Sequence, residues 1–187
     1  MQQPAGARGR GFPLRRALLL VAAAFTSFAS AEESGGVPPV ALAAAPVSFF
    51  IDRRLPADFR PSVEEARRRL SDSRCADVLT DFEDVAGRRL DLKVADLHHT
   101  AVSYLSMVLF YDGRPTLECG FKNTLAWTTT GSRAVHVCSN QFLAQQRWNI
   151  GYSANTLIHE MMHTLGLGET PPDPRVITAR VADRCGQ

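Results

Sequence analysis

Residues 159 to 169 read His159-Glu160-Met161-Met162-His163-Thr164-Leu165-Gly166-Leu167-Gly168-Glu169. On a helix, side chains four residues apart share a face, so His159 and His163 project together. Two imidazoles at this spacing can hold one metal ion, with Glu160 beside it as a general base. Leu157, Ile158, Met161, Met162 and Leu165 make the same segment apolar on several sides, so the helix is expected to be buried. Polar groups inside such a helix need partners, and a metal would supply one. Ser153 is the expected N-cap, with Tyr152 just before the helix. Gly166 and Gly168 release the chain from the helix, and the turn swings Glu169 back toward the histidines. Pro171, Pro172 and Pro174 are expected to stop any helical continuation.

With only 5 histidines in 187 residues, two flanking a glutamate at this spacing is a specific signal. The stretch resembles the active-site helix of zincin metallopeptidases, and within them the metzincin pattern His-Glu-x-x-His-x-x-Gly-x-x-His. The resemblance covers the 11 motif residues. It implies that His159 and His163 are zinc ligands, that Glu160 is the catalytic base and that Gly166 is the turn glycine. Glu169 stands where the third histidine would be, and there is no Met between 170 and 187 for a methionine turn. A set of two histidines and a glutamate is an ordinary donor set for Zn²⁺. The resemblance thus implies a small secreted zinc metallopeptidase, a hydrolase that cleaves peptide or protein substrates with a zinc-activated water and a glutamate base. Two other readings use the same residues: a non-catalytic binding module with a structural zinc, or a zinc amidase acting on cell-wall amide bonds. A fourth ligand such as His136 or Asp173 would favour the structural zinc.

Arg8, Arg10, Arg15 and Arg16 precede the apolar run from Ala17 to Phe25, and Ala29-Ser30-Ala31 follows. This is the layout of a signal peptide over residues 1–31, which implies a secreted or periplasmic protein without stable membrane insertion after cleavage. Taking those four arginines from the 21 basic residues leaves 17 against 19 acidic ones, a formal charge of −2. No basic patch with interleaved aromatics remains, so nucleic-acid binding is excluded as a reading. The four cysteines lie in the remainder, none in a Cys-x-x-Cys arrangement. Two structural disulfides are expected in an oxidising compartment, paired Cys119–Cys138 and Cys75–Cys185.

Residues 32–46 read as a flexible leader of Gly, Pro and Ala, and 47–187 as one α+β domain: a zincin-like fold with a mixed or antiparallel sheet and an active-site helix. A helix capped by Ser62 should run through Leu70, pairing Glu64 with Arg68 and Glu65 with Arg69, with Arg67-Arg68-Arg69 as a solvated face. A short helix is expected from Cys75 to Asp84. Ala101 to Tyr111 reads as a strand, and Leu125–Thr130 and Ala134–Cys138 as a hairpin around Gly131-Ser132. In zincins a strand near the active-site helix pairs with extended substrate, and this hairpin is similar to it in position. His98 and His99 are expected in a surface turn. His136 should face opposite to Val135 and Val137. Asp173 is the rival to Glu169 as third ligand.

Overall fold

The computed structural model describes residues 48–186; the expected signal peptide (1–31) and leader (32–46) lie outside them. The chain forms a small α+β domain of seven α-helices and a four-stranded mixed sheet. The strands are β1 (Phe50–Ile51), β2 (Leu109–Asp112), β3 (Ala126–Thr128) and β4 (Ala134–Val137). Their spatial order is β1-β2-β4-β3. β1, β2 and β4 run parallel, while β3 lies antiparallel to β4 and, among the described residues, has no strand partner on its other edge. The expected hairpin is therefore present. Its register sets Tyr111, His136 and Trp127 side by side across three strands on the sheet's outer face. Phe110, Val135 and Val137 turn inward, where they are buried.

α6 (Ile150–Thr164) packs on β3 and β4, and α1 (Arg60–Leu70) and α5 (Ser139–Trp148) pack on α6. Shorter helices are α2 (Ser73–Ala76), α3 (Leu90–Asp96) and α4 (Ala101–Leu105), and α7 (Pro174–Cys185) packs on α6. α6 is the centre: α1, α5, α7 and β3 all pack on it, and Leu157, Ile158, Met161 and Met162 are fully buried. Each such side chain contributes about 1.5–3 kcal/mol when removed from water. Phe59 bridges Phe110 and Phe142 by edge-to-face contacts at 5.5 and 5.3 Å, which ties the sheet to α5.

Several local expectations are corrected. Ser153 is not the N-cap of α6. The helix starts four residues earlier, where the Asn149 side chain accepts from the Tyr152 amide, and Ser153 is buried inside it. Ser62 likewise lies inside α1, bonded to Gln146 at 2.6 Å; Pro61 occupies the first turn instead. Most of the Ala101–Tyr111 stretch is not a strand. Thr100 and Ser103 form a capping box that starts α4, and strand begins only at Leu109. The expected Cys75–Asp84 helix is α2 followed by a 3-10 turn over Asp77–Thr80. Pro174 does not stop a helix but begins one, at the first position of α7, with Asp173 accepting from the Arg175 amide. In α1 the ion pairs are Glu64–Arg67, Glu65–Arg68 and Glu65–Arg69.

Arg69 departs from the solvated face expected of it. It is buried, and its Nη1 donates to Asn155 Oδ1 at 3.0 Å and to the carbonyls of Cys185 and Gly186. The two expected disulfides, Cys75–Cys185 and Cys119–Cys138, are both present. The first joins α2 to the end of α7 and acts with Arg69 to hold α7 on α6. Among the described residues no helix is long and apolar enough to cross a membrane.

The disulfides close loops of very different length, with sequence separations of 110 and 19. Chain entropy then predicts a loss of roughly 4–5 kcal/mol for Cys75→Ser/Cys185→Ser and roughly 3 kcal/mol for Cys119→Ser/Cys138→Ser. Urea unfolding of the two double variants tests the order, and a reversed order would show that native contacts outweigh loop closure.

Candidate functional site

The site is built on the last two turns of α6 and the reversal that follows them. Leu165 ends the helix, and Gly166 takes a φ of +100°, a left-handed conformation that favours glycine. The Leu167 amide donates to the Met162 carbonyl at 3.2 Å and the Gly166 amide to the His163 carbonyl at 2.9 Å. This is a Schellman arrangement, and it reverses the chain. The loop before α3 braces it from outside. Val85 N–H donates to the Gly166 carbonyl, while Asp84 accepts from the Ala86 and Arg88 amides and from Lys93 Nζ at 2.7 Å. The Lys93 ammonium, with the Arg88 amide, holds the Asp84 carboxyl down at about 2.

The reversal has two consequences for His163. It presents the Leu167 carbonyl to His163 Nδ1 at 2.8 Å, and it returns Glu169 so that Oε1 lies 3.3 Å from His163 Nε2. A carbonyl only accepts, so Nδ1 carries the proton and, in the neutral ring, Nε2 presents a lone pair. His159 Nε2 lies 2.9 Å from His163 Nε2, and its Nδ1 meets Thr178 Oγ1 of α7 at 3.1 Å. Burial, and after it the neighbouring His163, push His159 down to about 3, which keeps it neutral at physiological pH. Ligand atoms of His159, His163 and Glu169 thus converge within 4.8 Å of one another. His163 Nε2 and Glu169 Oε1 are acceptors, and His159 Nε2 joins them when its ring proton sits on Nδ1, toward Thr178. A cation is the natural occupant of such a point, and two imidazoles with one carboxylate suit Zn²⁺.

Glu160 is also buried, and its Oε2 has no hydrogen-bond partner. Burial raises its carboxyl to about 8, although the nearby Thr128 hydroxyl offsets part of this. Thr128 and Glu160 face each other without a hydrogen bond of good geometry, since Thr128 Oγ1 is also without a partner. Both open into a cleft of about 960 Å³ that also exposes His159, His163 and Glu169. β3 lines one side, from Leu125 to Thr128, and α7 another through Arg175, Thr178 and Ala179.

The four predicted residues His159, Glu160, His163 and Glu169 thus come together. Others do not. His136 lies on the outer face of the sheet, stacked on Trp127 at 4.3 Å and on Tyr111 at 5.9 Å. Asp173 spends its carboxylate on capping α7, so it is no rival to Glu169. His99 bonds to Ser103 and His98 occupies a turn, away from the cleft. Tyr152 sits in the first turn of α6 and does line the cleft. Thr178 was missed. Its signal was present in Asp173-Pro174, a cap followed by proline, and in Ile177 and Val181 four residues apart, which together mark a helix with one buried face. Comparison with known protein families, curated proteins and solved structures finds no match for the chain.

At Gly166 a Cβ would lie 3.0 Å from Lys93 Nζ and 3.2 Å from Asp84 Cβ. Gly166→Ala should therefore cost about 1–3 kcal/mol by thermal unfolding, from left-handed strain and crowding together. Glu160 generates a pH prediction for metal-free protein. An ordinary glutamate titrates near about 4.3, so between there and about 8 the unfolded chain has released a proton that the folded chain keeps. Stability falls as pH rises through that window. Glu160→Gln should be stabilising, with a gain in urea titrations that grows across the window and levels off above it; a gain independent of pH would contradict the burial effect.

Proposed function

We infer that this protein is a secreted or periplasmic zinc metallopeptidase of zincin type, with His159, His163 and Glu169 as metal ligands. The observation that carries this reading is the meeting of two imidazole nitrogens from a buried helix and a carboxylate oxygen, beside a buried carboxyl group with an unpartnered oxygen. Neither His136 nor Asp173 joins them, so the described residues offer no fourth ligand to close the site, which favours a catalytic over a structural metal. The two disulfides fit an oxidising compartment outside the cytoplasm.

When bound, Zn²⁺ would supply Lewis acidity toward water and the scissile carbonyl. The chain's own residues do the rest. The Leu167 carbonyl and the Thr178 hydroxyl orient the two imidazoles through their Nδ1 atoms. Glu160 takes the proton from the attacking water and passes it to the leaving amine nitrogen. Burial alone holds the Glu160 carboxyl protonated at neutral pH, and the positive charge of a bound Zn²⁺ would favour the ionised form that accepts the proton. The free edge of β3, along the cleft, offers backbone groups to an extended peptide.

Elemental analysis of the oxidised protein should find one zinc per chain. Glu169→Ala should weaken zinc binding measured by chelator competition, and unchanged affinity would move the third ligand elsewhere. Glu160→Ala should keep the metal and lose about 10²–10⁴-fold in peptide hydrolysis. Folded protein that takes up no zinc would defeat the reading.

A further inference from the structure

α7 turns a repeating face to the cleft, and Arg175, Thr178, Ala179 and Ala182 all line it. Of the helix's three arginines, Arg180 and Arg184 both reach Asp81. Arg175 reaches no acid: among the described residues its guanidinium makes no ion pair and no side-chain hydrogen bond. The two acids nearest in sequence are engaged elsewhere, Asp173 with the Arg175 amide and Glu169 with His163. Among the described residues that line the cleft, Arg175 is the one lysine or arginine, facing a lining that also holds Glu118, Glu160 and Glu169.

Position gives this cation a meaning. Thr178 Oγ1 touches His159 Nδ1 at 3.1 Å, and Arg175 lies one helical turn before it on the same face. Cβ atoms at that spacing are about 5–6 Å apart. An extended peptide advances about 3.5 Å per residue, so a peptide lying along this face passes Arg175 within a few residues of a bond at the histidines. A planar fork of N–H donors without an acceptor matches a carboxylate, which it can bind through two parallel hydrogen bonds. We propose that Arg175 is a subsite for a substrate carboxylate, an acidic side chain or a chain terminus within a few residues of the scissile bond. The proposal deepens the metallopeptidase reading and rests on it for the place of the scissile bond.

The test is a binding measurement that needs neither bound metal nor turnover. Three hexapeptides are titrated calorimetrically into oxidised Glu160→Gln protein. One has a central Glu and amidated C-terminus, one a central Gln and amidated C-terminus, and one a central Gln and free C-terminal carboxylate. At least one carboxylate peptide should bind about tenfold or more tightly than the neutral one, as a charge-assisted hydrogen bond allows. Which of the two gains tells side chain from terminus. Adding Arg175→Gln should erase the advantage, and rising salt should shrink it. Equal affinities, a preference that survives Arg175→Gln, or no binding by any peptide would each overturn the proposal. Hydrolysis of neutral peptides without any carboxylate preference would sink this subsite and leave the peptidase reading standing. A carboxylate preference in protein that never hydrolyses a peptide would do the reverse.

Discussion

From Leu157 to its end, helix α6 carries four polar side chains, His159, Glu160, His163 and Thr164, through a stretch that is otherwise apolar and buried. Each needs an answer from another part of the chain, because a buried polar group left alone costs more than most single contacts return. Thr164 is answered by the Tyr104 hydroxyl of α4 and its own Met161 carbonyl. His163 is answered at Nδ1 by the Leu167 carbonyl after the glycine turn, and His159 by Thr178 of α7. Much of the architecture reads as the means of delivering these partners. Arg69 and the Cys75–Cys185 disulfide keep α7 in place, and the Asp84–Lys93 pair braces the turn. Glu160 is the exception, with one oxygen unanswered. A group left in that state is where a fold stores chemistry rather than stability.

The parts of this arrangement that sequence makes legible are those carried by short-range rules. The four site residues lie within one motif, where a helical spacing and a glycine turn suffice to bring them together. Both disulfide pairings followed from which segments had to be neighbours, and the hairpin from its turn residues. What escaped were local signals read with the wrong sign. Pro174 marks the start of a helix as well as it marks a stop, and only Asp173 before it tells the two apart. Thr100 and Ser103 outweighed the β-branched and aromatic character of the residues after them. The burial of Arg69 was hidden for a different reason. Its acceptors lie on α6 and at the chain's far end, a tertiary fact that no window around it contains.

The outer face of the sheet has a separate logic. Tyr111, His136 and Trp127 stack on one another rather than on the core, and desolvation lowers the affinity of His136 for a proton. Neutral imidazole stacks on indole without the desolvation cost of a charge. The Trp127 Nε1–H, which cannot accept, finds an acceptor in Thr116 Oγ1 at 3.0 Å. The ladder thereby fixes β3, whose inward residue Thr128 faces Glu160.

That ladder also determines how the protein responds to light. The chain has 2 tryptophans. Trp148 is 90% exposed, whereas Trp127 is half-buried, packed against an imidazole and hydrogen-bonded. Their emission is therefore spectrally distinct, red-shifted by water for one and blue-shifted by its surroundings for the other. An aqueous quencher extinguishes Trp148 first and leaves a residual signal that comes from the strand bordering the cleft. The molecule carries its own optical probe on a strand that borders the cleft.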